Sequence, residues 1–308
     1  MQPIPITDKI KLIPGKNNAS FPYANCLLIE DEVRVLIDTG AGKEQLQLVE
    51  PHSINYIINS HCHFDHVVGN RLFPQAKVWA HALDAPPMRS VEHFIDLLGF
   101  RAWPKLMGTN DNLQVTRKGE VFWISLGHNA VFRYQTSPVH YEFNDGQVFH
   151  WGEVELQIVH TPGHTPGHCA FYFPKEKIVF SGDIDVSDWG PFYGNLRANL
   201  DDFIISIQKV ISLKPALLLT SHHEPVTAEV EAKLIKYLNR IYEREEKILK
   251  LLKKPRTINE IAAQNIFYRR HLDDRFVFWE KMMICKHLMR LQKQNKIVQR
   301  GESYLAIS

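Results

Sequence analysis

No segment of this 308-residue chain approaches the roughly twenty consecutive apolar residues that a membrane-spanning helix needs. The opening MQPIPITDKIKLIPG has no apolar run of signal-peptide length. Cysteine is scarce: Cys26, Cys62, Cys169 and Cys285 lie far apart, with no CxxC pair and no disulfide framework. These absences lead to the expectation of a reduced, cytoplasmic protein with no membrane partner. An excess of one charge is missing too. Lys and Arg number 36 against 34 Asp and Glu, a net +2, so the whole molecule advertises no polyanion partner. There is no low-complexity segment and no long internal repeat.

What is present reads as a globular chain of ordinary composition, 44% hydrophobic and 23% charged, long enough for one large domain or two smaller ones. Charge is unevenly shared. Residues 241–308 hold 15 Lys and Arg against 8 Asp and Glu, which is +7 and leaves −5 for 1–240. That asymmetry suggests two modules, 1–226 and 227–308. In the first, CLLIE and VRVLID form a hairpin pattern around Asp31–Glu32, and INYIINS and KVWAH are short strands of buried type. Residues 85–140 read as an insertion, helical at first and then polar. Core packing explains most of its aromatics (Phe94, Phe100, Trp103, Phe122, Trp123), and a lid or a homodimer contact the rest. LDDFIISIQKVISL is an amphipathic helix. After residue 226 come a long helix, a Thr257–Glu260 capping box, a further helix and a hairpin, the element order of a winged helix.

Polar side chains gather where apolar runs end. SHCHFDH (60–66), HTPGHTPGH (160–168), SGDID (181–185) and SHHEP (221–225) each follow a strand-like run, the usual place for active sites in layered α/β folds. Alternate residues of an extended segment share a face, so His61 and His63 can converge on one ion. A turn then lets Asp65 and His66 face a second. Neutral imidazoles with carboxylates suit zinc, iron or manganese.

These four motifs in this order, with LIDTG at 36–40 before them, resemble the metallo-β-lactamase superfamily over about residues 10–226. The resemblance implies an α/β fold, an αββα sandwich with a two-metal site at the sheet edges, followed here by the small, mostly helical winged-helix-like segment. It implies two divalent ions, zinc foremost, with iron or manganese as alternatives. One would be held by His61, His63 and His164, the other by Asp65, His66 and His223, with Asp183 shared. His223 is taken over His222 because HHEPV aligns with the family's Gly-His-Gly-Pro turn on its proline. His160 and His168 then serve structure, and Asp38 fixes ligand orientation from behind.

The implied reaction is hydrolysis of a small-molecule ester, thioester or lactone, with Asp65 handling a proton. Phosphodiester or nucleic-acid cleavage and a single-iron persulfide dioxygenase are the alternatives. Asp183 argues against a true β-lactamase. Within the superfamily, glyoxalase II offers a comparison: WGPFYGN (189–195) stands where that enzyme contacts glutathione, with Tyr193 matching its tyrosine and Pro191 replacing its lysine. Trp189, Phe192 and Tyr193 are therefore the expected pocket residues, Tyr193 also as a catalytic group. Lys286, Arg290 and Lys293 fall on one helix face. A nucleic-acid partner would use that stripe, but a solvated helix face is the preferred reading.

Overall fold

The computed structural model describes residues 2–126 and 130–307; residues 127–129 of the expected insertion lie outside the described residues. From the amino end come strands β1 (Ile4–Pro5), β2 (Ile10–Ile13), β3 (Cys26–Glu30) and β4 (Arg34–Ile37). Helix α1 (Lys43–Gln47), strand β5 (Tyr56–Ile58), helix α2 (Phe64–Val67) and strand β6 (Lys77–His81) follow. Residues 85–140 hold helices α3 (Ala85–Arg89), α4 (Val91–Leu98) and α5 (Trp103–Met107), then strands β7 (Leu113–Lys118), β8 (Val121–Leu126) and β9 (Ala130–Gln135). Next are β10 (Tyr141–Phe143), β11 (Val148–Trp151), β12 (Val154–His160), β13 (Cys169–Phe173), β14 (Ile178–Phe180), α6 (Leu200–Ser212) and β15 (Leu217–Leu219). The chain closes with α7 (Val230–Leu251), β16 (Arg256–Thr257), α8 (Ile258–Ala262), α9 (Asp274–Lys293), β17 (Ile297–Arg300) and β18 (Ser303–Ala306).

Two sheets stack face to face, ordered β1-β2-β3-β4-β5-β6-β10 and β11-β12-β13-β14-β15. Their central strands β3, β4, β5, β13, β14 and β15 are largely apolar on both faces, and the period-2 alternation sorts the side chains between layers. Leu27, Ile29, Val35, Ile37 and Ile58 meet Leu156, Ile158, Phe171, Phe173, Phe180 and Leu219 between the sheets. Their neighbours Cys26, Leu28, Leu36 and Ile57 face the other way, onto α3 and α4 through Met88, Ile95 and Leu98. On the opposite side Ala170, Val179 and Leu218 pack against α6 and α7 through Phe203, Ile207, Leu234 and Ile241. The order is helices, sheet, sheet, helices, as expected from the sequence.

The insertion differs from its expectation in one respect. Its polar second half is a three-stranded antiparallel sheet, β7-β8-β9, whose inner side chains Ile124, Leu126, Ala130 and Tyr134 join the helix-side core. The register pairs Val115 with Ile124 and Ile124 with Phe132, so an apolar row runs across the three strands. Phe94, Phe100 and Trp103 are buried in that core, while Trp123 lies on the outer face, 44% exposed.

The C-terminal segment packs on both helical layers. Phe278 and Met282 of α9 belong to the core beneath the insertion, and Met283, Ile284, Leu288 and Leu291 to the core beneath α6 and α7. Of the basic stripe only Lys293 is solvated; the other two residues are taken inside. Lys286 donates to the Leu196 carbonyl at 2.6 Å, and Arg290 pairs with Asp201 and Glu245. No helix among the described residues is long and apolar enough to cross a membrane.

Candidate metal centre

Strands β4 and β5 are parallel, as are β14 and β15, and β12 runs the same way as β14 because both flank β13 antiparallel. The loops at their carboxyl ends carry Asp38, 59–66, 161–168, 181–185 and 220–223 to one edge of the sandwich. β5 stops at Ile58, and the His motif is a bend followed by α2, with His63 at its N-cap. The extended spacing assumed for His61 and His63 is therefore absent. They converge because they present different atoms: His61 Nε2 lies 3.0 Å from His63 Nδ1, which lies 2.8 Å from His164 Nε2.

His61, His63, His164 and Asp183 form one cluster of donor atoms, and Asp65, His66 and His222 a second. Asp183 links them. Its Oδ2 is 3.1 Å from His164 Nε2, and its Oδ1 is 3.1 Å from His66 Nε2 and 3.4 Å from His222 Nε2. One expected position shifts: His222, not His223, faces the centre. His222 Nε2 stands 3.5 Å from Asp65 Oδ2, whereas the half-exposed His223 ring pairs with Asp185 at 3.5 Å. Alignment on Pro225 misplaces the ligand because the turn from ligand to proline is one residue longer here than in Gly-His-Gly-Pro.

The other ring nitrogens are fixed from behind, which sets the tautomers. His164 Nδ1 donates to the Phe192 carbonyl at 2.9 Å and His222 Nδ1 to the Ala19 carbonyl at 2.7 Å. His66 Nδ1 donates to Asp38 at 2.8 Å, and Asp38 also accepts from the Ser60 amide and hydroxyl at 2.8 and 2.6 Å. Asp38 sits in the left-handed region at φ 58°, a conformation held by these bonds. His63 is turned the opposite way, with Nε2 against the Asn195 amide at 2.8 Å. Gly40 is required nearby, since a Cβ there would stand 1.5 Å from the Asp65 carbonyl oxygen.

The donor set fits divalent metal. His66 Nε2 and Asp183 Oδ1 are buried and, though 3.1 Å apart, outside hydrogen-bond geometry, so neither has a hydrogen-bond partner. Burial presses the His66 imidazole down, but Asp183, Asp38 and Asp65 outweigh it and hold it well above the ordinary histidine range. His222 is likewise pushed up to about 9, its burial overcome by Asp183 and Asp65. Burial raises the Asp183 carboxyl, and the surrounding imidazoles, His66 foremost, override this and bring it well below the usual carboxylate range. His61 and His63 are driven well below the ordinary value by burial. The carboxylates of the second cluster draw positive charge inwards, and imidazole nitrogens with carboxylate oxygens are a donor set suited to zinc, iron or manganese.

A sequence profile of the metallo-β-lactamase superfamily matches residues 20–222. The chain belongs to that superfamily. Among its members, an acyl-coenzyme A thioesterase of Gallus gallus is 25% identical over 207 residues, covering 62% of this chain and 67% of that protein. A hydroxyacylglutathione hydrolase of Cereibacter sphaeroides is 30% identical over 97 residues, 31% of this chain and 36% of that one. In fold, the chain is similar to a metallo-β-lactamase family protein from Thermus thermophilus, with TM-score 0.76 and 21% identity, covering 98% of this chain and all of that one. That likeness includes the C-terminal segment.

The expected pocket residues fare unevenly. Tyr193 is fully buried, with its hydroxyl 2.8 Å from His287 Nε2 and burial raising its pKa to about 12, so it is packed against α9 rather than open to the donor clusters. Its place beside the metal loop is real, but its ring turns towards α9. Trp189 donates Nε1 to the Phe267 carbonyl, and Phe192, half-buried, lies with its ring 6.0 Å from that of His164. Cys62 is buried, its thiol held well above the ordinary value by burial, as a packed thiol should be. His160 Nε2 donates to the Pro166 carbonyl at 2.8 Å, and His168 Nε2 accepts from the Asp183 amide at 3.0 Å.

Asp84 escaped the sequence reading. Buried, it accepts from the Cys62 amide at 3.0 Å, the Thr165 hydroxyl at 2.7 Å and the Gly167 amide at 2.7 Å, tying the two histidine loops together. Its only signal was position: it follows the end of β6, as the metal motifs follow β5, β12, β14 and β15.

Proposed function

We propose that the chain is a binuclear metallohydrolase acting on a small-molecule thioester or ester. The observation that carries this is the Asp183 carboxylate, set with one oxygen towards each complete donor cluster. Such a pair of ions, when bound, supplies an acidified water and a Lewis acid for a carbonyl oxygen. The chain's own residues do the rest. His61, His63 and His164 hold one side rigidly through Ser60, Asn195 and Phe192. Asp65, buried with Oδ2 between His66 and His222, is the group placed to take up a proton during attack. A thiolate leaves without a proton from a separate acid, its conjugate thiol having a pKa of about 8.5. This favours thioesters, as do the thioesterase and hydroxyacylglutathione hydrolase relatives.

Two alternatives receive less support. A single-iron dioxygenase has no use for the second donor set, which is complete here with its His222. A nucleic-acid substrate would need the basic stripe, whose Lys286 and Arg290 are engaged inside the protein. Elemental analysis of the purified protein is the test, followed by a panel of thioesters, esters, lactones and bis-p-nitrophenyl phosphate. Close to two metal ions per chain and thioester turnover lost in His61→Ala, His164→Ala and Asp183→Ala are expected. One iron per chain, or turnover confined to the phosphodiester, would overturn the reading.

A further inference from the structure

We infer that Arg244, on helix α7 and beyond the matched residues 20–222, is a positioning residue for His164, which makes the C-terminal segment a working part of the metal centre. The inference rests on the two-metal reading of the site. Arg244 is 4% exposed. Its neighbours Arg240 and Arg290 pair with Glu243 and Glu245, but no carboxylate among the described residues stands within ion-pair distance of Arg244.

A buried guanidinium is costly unless its donors are satisfied. Here one loop satisfies them. Arg244 Nη1 donates to the Pro191 carbonyl at 2.7 Å and to the Tyr193 hydroxyl at 3.3 Å, and Nη2 donates to the Trp189 carbonyl. The guanidinium also lies 4.7 Å over the Trp189 ring and 4.9 Å over that of Phe267.

Phe192 stands between the two residues that Nη1 holds, and its carbonyl accepts Nδ1–H of His164. That bond fixes the tautomer that leaves the Nε2 lone pair facing Asp183 Oδ2. Trp189, Pro191 and Tyr193 are thus pinned by one cation, and the carbonyl orienting a metal ligand is pinned with them. A planar fork with several fixed donors does this where an ammonium could satisfy only part of the set.

The test uses full-length protein stripped of metal and titrated with Zn²⁺ and, for its absorption spectrum, Co²⁺. Wild-type protein should take two ions. Fewer than two would sink the two-metal reading itself, whatever Arg244 does. His164→Ala gives the Co²⁺ spectrum of a protein impaired at the first cluster. Arg244→Gln should weaken that same ion, by up to the 10–100-fold that loss of a group bonded directly to the ligand costs, and leave the other unchanged. Arg244→Lys, which keeps the charge, should fall between Gln and wild type. Arg290→Gln disturbs the same interface without touching the loop, and should lower stability while both affinities hold. Wild-type affinity at the first cluster in whichever Arg244 variant folds would overturn the inference, as would an equal loss in Arg290→Gln.

Discussion

Two adjacent histidines, His222 and His223, show how sharply the site discriminates between neighbours. One is anchored by the Ala19 carbonyl and faces Asp65 and Asp183; the other sits at the surface beside Asp185. His222→Ala should therefore lose one of two bound metal ions and most activity, and His223→Ala should keep both ions, as read by elemental analysis of the two proteins. Asp84 makes a different kind of demand. All three of its partners are donors. Asp84→Asn places an amide N–H against one of them, so unfolding free energy in urea should fall by about 1–3 kcal/mol, the cost of a buried group left unpaired. An unchanged urea midpoint would mean the two histidine loops hold together without it.

At the scale of the element, α9 departs furthest from what its pattern suggested. It is buried nearly all round, taking Glu280, Lys281 and Lys286 inside with it. Glu280 accepts three backbone amides, from Ile266, Phe267 and Tyr268, and Lys281 donates to the Leu106 carbonyl. Burial lowers the Lys286 ammonium from 10.5 to about 8. Below about 8 both folded and unfolded chains hold that proton. Between about 8 and 10.5 the unfolded chain binds more of it, so this group makes the folded state more stable as pH rises, and the gain is lost as pH falls back through 8. The full swing is about 3 kcal/mol at most. Urea unfolding of wild type and Lys286→Met on either side of that window should show the difference between them moving in favour of wild type at high pH.

Taken as a whole molecule, the chain joins its parts through shared cores. One helix supplies Phe278 and Met282 to the layer under the insertion and Leu288 and Leu291 to the layer under α6 and α7. Arg290 ties it to Asp201 at the start of α6. The division at residue 226 therefore does not separate two independent cores, and calorimetry of the full chain should show one cooperative transition. Two transitions would mean that the C-terminal segment unfolds on its own.

The sequence by itself determined the layering and the chemistry. Runs such as CLLI in β3 and VLI in β4, apolar at every position, read as buried on both faces, and four strand-like runs that end in His or Asp bring those groups to a common edge. Six of the seven residues gathered in the two donor clusters were legible because each motif is local. What the tertiary structure alone decided were the contacts between segments distant in sequence. Whether His222 or His223 turns inward depends on the Ala19 carbonyl, some two hundred residues earlier. Asp84 acquires a role only where the loops after β5 and β12 meet, and Tyr193 loses its expected one because His287 of α9 takes its hydroxyl. Lys286 and Arg290 have a basic helix face by spacing, yet a second surface packs onto it. Periodicity records which side of an element is apolar; it carries no information about what the rest of the chain brings to the polar side.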